Sequence, residues 1–203
     1  MFDKNNIPEL YKKMYDLGYL SWQGSDHSKY LSMDDMEWME QEEVMNYRYE
    51  EGEMDIFLPF AFTSGGDKWV FVDNGSEEPF IALCYHDTGD GEYYAKNFED
   101  AILRNIIEYA ANGDMVEESN LNFSSYEKML RTKFREYCTS LEKLLRKEYL
   151  DIIVRLSELP LKRQENEEDT YAFLSYDEAD AIINQHLDFE LLHQEFVWWR
   201  DDE

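Results

Sequence analysis

The stretch 56–73 constrains the fold more than any other part of the chain, because it joins two apolar runs through paired glycines. The first run, 57–62, is interrupted by Pro59, and the second, 69–72, is rich in aromatic and β-branched residues. Paired glycines adopt the positive φ angles of tight turns without steric cost. The pattern predicts a β-hairpin that is buried on at least one face. Pro59 should lie at an edge, a strand start or a bulge, because it cannot donate a hydrogen bond to a neighbouring strand.

A second pair of strands is predicted directly downstream. Residues 80–85 form an apolar run, 87–91 supply a turn, and 92–95 form the returning strand. A helix should then begin after Asn97 and run over 98–112, with Gly113 ending it. Its predicted buried stripe is Ala101, Ile102, Ile106, Tyr109 and Ala110. Four consecutive strands followed by a helix predict a sheet around which the rest of the chain packs.

Several motifs in this region resemble the SUKH superfamily of Smi/Knr-type proteins. They are the segments 30–39, 58–61 and 65–71, together with Pro79 and the Asn97-Phe98 start of a helix. The resemblance covers roughly residues 30–112. It implies an α+β fold, with helices flanking a mostly antiparallel sheet of four to six strands. Bacterial members of the superfamily bind and neutralise toxins, often nucleases, and a fungal member regulates the cell wall, so the resemblance implies a protein-binding function.

Residues 114–203 lie outside the resemblance and predict a largely helical C-terminal extension. Segments 124–127 and 175–178 each match a capping box, a sequence typical of a helix start, and the second helix should run to about Leu187. The first is followed by an apolar seam, whose members are Leu130, Phe134, Tyr137, Leu141 and Leu144. Segment 150–156 suits either a helix or a strand, and 160–169 is a charged loop. We expect a core of residues 1–113 on which residues 114–203 pack, with the aromatic cluster 196–199 docked onto the core.

A further helix is predicted to begin near Ser32, because acidic residues follow in its first turn. It would place Met36, Met39, Val44 and Tyr47 on one face. Trp38, Met45 and Tyr49 would lie on the opposite face. This second stripe is either covered by another element of the chain or exposed as an aromatic anchor for a partner.

Charge sets the class of partner that the chain can bind. It contains 46 acidic and 19 basic residues, for a formal net charge of −27. An aromatic content of 16% favours a folded protein over a disordered acidic chain. A strongly negative surface repels nucleic acids and anionic membranes and attracts basic proteins. The two cysteines lie far apart in the sequence, and no segment has the pattern of a signal peptide or a membrane span, so we expect a cytoplasmic protein.

No motif indicates catalysis, a metal or a cofactor. The paired glycines 65 and 66 lack the lysine and spacing of a phosphate-binding loop. Cys84 and His86 offer two possible metal ligands, fewer than a zinc site requires. The Glu190-Leu-Leu-His193 segment matches one half of a di-metal site whose second half is missing. We therefore predict no catalytic residue, no metal and no cofactor, and a metal-dependent hydrolase is the least favoured hypothesis.

Two hypotheses about function remain. The first is a non-enzymatic immunity protein that neutralises a basic cognate toxin, such as a nuclease, through its acidic surface. A nuclease must attract phosphate, so its cleft is basic and suits an acidic inhibitor. The second is an intracellular regulatory or scaffold protein of the same fold, without a toxin partner. Residue chemistry, and not the resemblance, suggests these partner-binding residues: Asp34, Asp35, Trp38, Glu42, Glu43, Tyr49, Glu50, Glu51, Asp55, Asp67 and Asp73.

Overall fold

A computed structural model describes residues 1–22, 29–112, 123–164 and 170–200. Over these residues the protein is α+β, as predicted, with six α-helices and a main sheet of six antiparallel strands. No helix in these ranges is long and apolar enough to cross a membrane. The helices are α1 (Glu9–Asp16), α2 (Gln41–Met45), α3 (Phe98–Ala111), α4 (Phe123–Leu141), α5 (Lys147–Glu158) and α6 (Tyr176–His186).

The strands follow the predicted meander and add to it at both edges. They are β1 (Glu37–Trp38), β2 (Phe57–Phe62), β3 (Lys68–Val72), β4 (Phe80–Cys84), β5 (Asp90–Ala95), β6 (Lys162–Arg163), β7 (Tyr171–Ala172) and β8 (Glu195–Val197). The main sheet has the order β1-β2-β3-β4-β5-β8, and β6 and β7 form a separate two-stranded sheet. Each pair of neighbouring strands is antiparallel, so short turns connect the four central strands.

The predicted hairpin is confirmed as β2 and β3. Leu58 pairs with Phe71, and the register shifts between Pro59 and Ala61. A proline lacks the N–H that a regular ladder would use, and the bulge removes the need for it. At the turn, Gly66 has a φ of 95°, which is strained for any residue with a Cβ.

One face of the sheet, here called the first face, carries an aromatic core. Tyr11 of α1 meets the ring of Phe71 edge-on at 5.3 Å, and Phe60 stacks on Phe71 at 4.3 Å. Phe98, at the start of α3, lies 5.7 Å from Phe60 in an edge-to-face contact. Such pairs contribute about 0.5–1.5 kcal/mol each beyond the burial of their surface. This cluster fixes α1 and the start of α3 against the hairpin.

The second face of the sheet is covered by irregular chain. Its buried residues are Phe57, Val70, Val72, Ala82, Cys84 and Trp198. The backbone N–H of Met54 donates to Trp198 O at 3.0 Å, and that of Arg200 donates to Gly52 O at 2.8 Å. Trp198 is buried, as expected for a docked aromatic cluster, whereas Val197 is 54% exposed. The segment before β2 and the segment after β8 therefore cover this face together.

The prediction of a helix that begins near Ser32 is wrong. Trp38 pairs with Ala61 in β1, and the only helical part of 32–49 is the short α2. Asp35 has a φ of 45°, which interrupts a right-handed helix. Its carbonyl oxygen accepts a hydrogen bond from Trp69 Nε1 at 2.9 Å. Pairing with the edge of β2 thus outweighs the helical propensity of this segment, since propensity is a weak preference that tertiary contacts override.

The chain divides into two compact units, Met1–Ala101 with Asp188–Glu203, and Ile102–Leu187. The division differs from the expected boundary at 113, because β8 pairs with β5 and so belongs to the main sheet. Gly113 and residues 165–169 of the predicted loop 160–169 lie outside the described residues, and Lys162–Arg163 of that loop form the short strand β6.

In the second unit the predicted seam is buried from Leu130 to Leu141, and the segment 150–156 lies in α5. The capping box at Ser175 is present at the start of α6. The segment 124–127 instead lies inside α4. The helical character of this region is therefore as predicted, and the described part of α4 begins at Phe123, one residue before the expected cap Ser124.

Candidate functional site

None of the nine predicted partner-binding carboxylates is buried. Three of them are half-buried, namely Asp34, Asp67 and Asp73. The other six are exposed: Asp35, Glu42, Glu43, Glu50, Glu51 and Asp55. All nine lie in the first unit, which therefore presents negative charge to the solvent along the segment 34–73.

These carboxylates do not form one patch. Asp67 and Asp73 flank β3 at opposite ends, and six residues of extended chain span about 20 Å. Asp35 belongs to the hairpin-turn end, where its Oδ1 accepts hydrogen bonds from Ser64 N at 2.9 Å and Ser64 Oγ at 3.0 Å. Asp55 forms an exposed ion pair with the Met1 amino group at 3.1 Å. A single small partner contact could therefore use only a subset of the predicted residues.

The two predicted aromatic anchors are not exposed. Trp38 is only 8% exposed, and its indole N–H donates to Leu31 O at 2.9 Å. It stacks on Phe60 at 6.0 Å, so it belongs to the core and is not the exposed aromatic anchor that one alternative predicted. Tyr49 is half-buried against Tyr47, and burial raises the pKa of Tyr49 to about 12. Its hydroxyl is enclosed, so its polar end does not face a partner.

An open cleft lies on the second face, at the hairpin-turn end of the sheet. Its volume is about 460 Å³. The lining residues are Glu50, Lys68, His86, Asp87, Thr88, Gly89, Trp198 and Trp199. Glu50 is a predicted partner-binding residue, and Asp67 contacts His86, so two of the predicted carboxylates lie at this cleft.

A buried ion pair underlies the cleft. Lys68 pairs with Glu53, whose side chain is only 3% exposed, and Lys68 also donates to Tyr47 Oη at 3.0 Å. Glu53 accepts from Tyr47 Oη at 2.9 Å and from Glu50 N at 2.7 Å. Burial and the charge of Glu53 raise the pKa of Tyr47, which keeps its hydroxyl protonated as a donor. The Lys68 ammonium also lies 5.2 Å from the centre of the Trp198 ring, at cation–π distance.

Cys84 lies directly opposite Lys68 in the β3–β4 pair, on the same face. Burial raises the pKa of the Cys84 thiol well above its ordinary value, and the nearby Lys68 charge only partly offsets this effect. The thiol therefore stays protonated and serves as a small core residue. Among the described residues, no group of three or more His, Cys, Asp or Glu side chains could hold a metal ion.

His86 lies between two carboxylates at the rim of the cleft. Its Nδ1 is 2.9 Å from Asp67 Oδ1, and its Nε2 is 2.7 Å from Asp87 Oδ1. Its backbone N–H also donates to Asp67 Oδ1 at 3.0 Å. Only the imidazolium form can donate from both ring nitrogens, and the hydrogen bond to Asp67 raises the pKa of His86. Burial alone would raise the pKa of Asp67, but its hydrogen bonds from His86 outweigh burial and lower it.

The stabilisation from this His86–Asp67 contact should depend on pH. His86 has a raised pKa, so its contribution is complete below the ordinary value of 6.5 and is lost as pH rises through the folded-state pKa. Asp67 has a lowered pKa, so its contribution is present above 3.8 and is lost as pH falls through the folded-state pKa. We expect Asp67→Asn to destabilise the protein most between pH 3.8 and pH 6.5, where both contributions are present. The measurement is the urea unfolding midpoint of the wild type and of the variant at several pH values. A difference between the two midpoints that does not change with pH would contradict the expectation.

The two tryptophans of the cleft are held by their neighbours. Trp198 Nε1 donates to Tyr85 O at 3.1 Å, and the Trp199 backbone N–H donates to Gly89 O at 3.2 Å. A Cβ on Gly52 would lie 2.6 Å from Trp199 Nε1, and one on Gly89 would lie 3.2 Å from Trp199 Cβ. Trp199 is thus packed against two glycines, neither of which leaves room for a side chain of its own.

Sequence reasoning missed most of this cleft. One signal was available: strand alternation places Lys68 on the face that carries Val70 and Val72, where a lysine needs a buried partner. The partner itself, Glu53, could not be identified among many nearby carboxylates. His86 was considered only as a metal ligand, whereas its neighbours are the two aspartates that hold it. Comparison of the chain with protein-family models, with curated proteins and with solved structures found no match.

Proposed function

We propose that this chain is a non-enzymatic protein-binding module, an immunity protein of the SUKH type that neutralises a basic cognate toxin such as a nuclease. The observation that carries the proposal is the exposure of the acidic segment: none of its nine candidate carboxylates is buried, in a chain of net charge −27. The motif resemblance at residues 30–112 supplies the class of partner, and the antiparallel sheet is the fold that this resemblance implies.

Electrostatics gives the proposal a mechanism. An acidic surface accelerates encounter with a basic toxin and disfavours acidic partners. Individual exposed charges contribute little to affinity, so persistence requires a smaller region that excludes water. The cleft at the hairpin-turn end is a concave part of the acidic unit that offers both charge and aromatic surface.

Charge reversal tests the proposal. We expect the triple variant Glu42→Lys, Glu51→Lys and Asp55→Lys to bind the toxin roughly tenfold more weakly and with less dependence on salt. The probe is the polypeptide encoded beside the gene for this chain. The measurements are its affinity for the purified chain at several salt concentrations and the survival of bacteria that express both proteins.

The matched control is Glu142→Lys, Asp151→Lys and Asp180→Lys, which changes the net charge equally at exposed positions in the second unit. It should keep most of the affinity, because these three carboxylates lie outside the acidic segment 34–73 and salt screens the effect of total charge. Equal losses in both triple variants would show that only total charge matters and would reject this surface. A deletion phenotype in cells that lack any toxin would overturn the immunity proposal and favour a regulatory protein.

A further inference from the structure

We propose that the cleft formed by Glu50, Asp87, Trp198 and Trp199 is a receptor site for an arginine side chain of the basic partner. The inference rests on the proposed function only for the source of that side chain. The recognition itself follows from the charge, shape and aromatic lining of the cleft.

The charge of the cleft favours a cation. Glu50 and Asp87 are exposed at its rim, and the Asp87 side chain is 79% exposed. The one lysine of the lining, Lys68, is neutralised by the buried carboxylate of Glu53. His86 carries at most one positive charge, which faces Asp67 and Asp87. The lining and its direct partners therefore keep a net negative charge whether or not His86 is protonated.

The aromatic surface favours a planar cation. Trp198 and Trp199 meet nearly at right angles, with ring centres 5.5 Å apart and an interplanar angle of 81°. Trp198 is only 3% exposed, and the Lys68 ammonium already lies 5.2 Å from its ring, so the half-buried Trp199 is the ring on which a ligand can stack. A guanidinium is planar, so it can stack on an indole and at the same time donate two parallel hydrogen bonds to a carboxylate. An ammonium is a compact charge without such a plane. Arginine therefore suits the cleft better than lysine.

The cleft is also pre-organised and of suitable size. Gly52 and Gly89 fix Trp199, and the His86 contacts fix the Asp87 side of the rim. Little ordering cost would accompany binding, which is the condition under which a small contact retains its affinity. A volume of about 460 Å³ admits one long side chain with some water, and it lies in the lower half of the size range of small-molecule pockets.

The test uses N-acetyl-arginine amide as the probe and follows the ¹⁵N-labelled full chain by NMR. We expect saturable shifts, with millimolar affinity, of the indole N–H signal of the half-buried Trp199 and of the amides of Thr88 and Gly89. The indole signal of the buried Trp69 should not move. N-acetyl-citrulline amide, which has the same shape without the charge, should cause no saturable shift.

Substitutions then assign the contact. The double variant Glu50→Gln and Asp87→Asn should weaken arginine binding roughly fivefold, because each exposed charge contributes a fraction of a kcal/mol. Both side chains are exposed, so the fold should be retained, and Glu51→Gln is the matched control beside the cleft. Equal shifts with arginine and citrulline, or unchanged affinity in the double variant, would overturn the proposal.

The result is separable from the fate of the proposed function. Arginine binding without any binding to the neighbouring gene product would keep the cleft proposal and reject the immunity proposal. Binding to the toxin, together with no binding of the arginine probe in the cleft, would keep the immunity proposal and reject the cleft proposal.

Discussion

Replacing Lys68 with Met should destabilise the protein by about 3 kcal/mol, because it leaves a buried carboxylate without its counter-charge. Glu53 is 3% exposed and Lys68 is 13% exposed, so solvent screens neither charge well. Among the described residues, Glu53 would keep the hydrogen bonds from Tyr47 Oη and Glu50 N but no counter-charge. The measurement is the free energy of unfolding in urea, where the midpoint should fall with little change in slope.

Two variants show whether burial is the cause. The double variant Lys68→Met with Glu53→Gln should recover more than half of the loss, because removing both charges leaves no unpaired ion. Lys162→Ala breaks the Lys162–Glu178 pair, whose side chains are 44% and 45% exposed, and it should cost less than about 1 kcal/mol. Similar losses for Lys68→Met and Lys162→Ala would contradict the account.

Replacing Gly52 with Ala should destabilise the protein by about 3 kcal/mol, through backbone strain and overpacking together. Gly52 has a φ of 92°, and an added Cβ would lie 2.7 Å from Arg200 O as well as 2.6 Å from Trp199 Nε1. A backbone carbonyl cannot rotate away as a side chain can, so the segment 198–200 must shift. We expect a lower unfolding midpoint in urea and a changed indole signal for Trp199.

Gly75→Ala separates strain from steric conflict. Gly75 has a φ of 76°, but nothing lies within 4 Å of the position that a Cβ would occupy. This variant should therefore cost only the strain, about 1–2 kcal/mol, and should leave the Trp199 signal unchanged. An equal loss in the two variants would show that the packing of Trp199 against Gly52 contributes nothing.

The central strands were predictable because their signals are local. Paired glycines beside apolar runs define a hairpin, and Pro59 indicated an irregularity that appears as a bulge. The stripe of α3 was likewise readable from helical spacing, and all five of its predicted residues are buried. These features depend on neighbours in the sequence, which is why periodicity identifies them.

The edges of the sheet were not predictable, because long-range pairing decides them. Residues 37–38 form a strand because they pair with β2, and residues 195–197 form one because they pair with β5. The cleft could not be predicted for the same reason, because Lys68 contacts Glu53 and Trp198, which come from distant segments of the sequence. The exposed carboxylates of 34–73 could be proposed from composition, but their division between the two ends of β3 depends on how the strands fold.

The pairing of β5 with β8 has a consequence during synthesis. Val197 pairs with Asp90, and the whole unit Ile102–Leu187 lies between them in the chain. A ribosome must therefore make that unit before the sixth strand can join, and such distant closures are slow and leave apolar surface uncovered meanwhile. Trp198 and Trp199 are synthesised after that unit, so a nascent chain that has already formed its hairpin still lacks the aromatic half of the cleft.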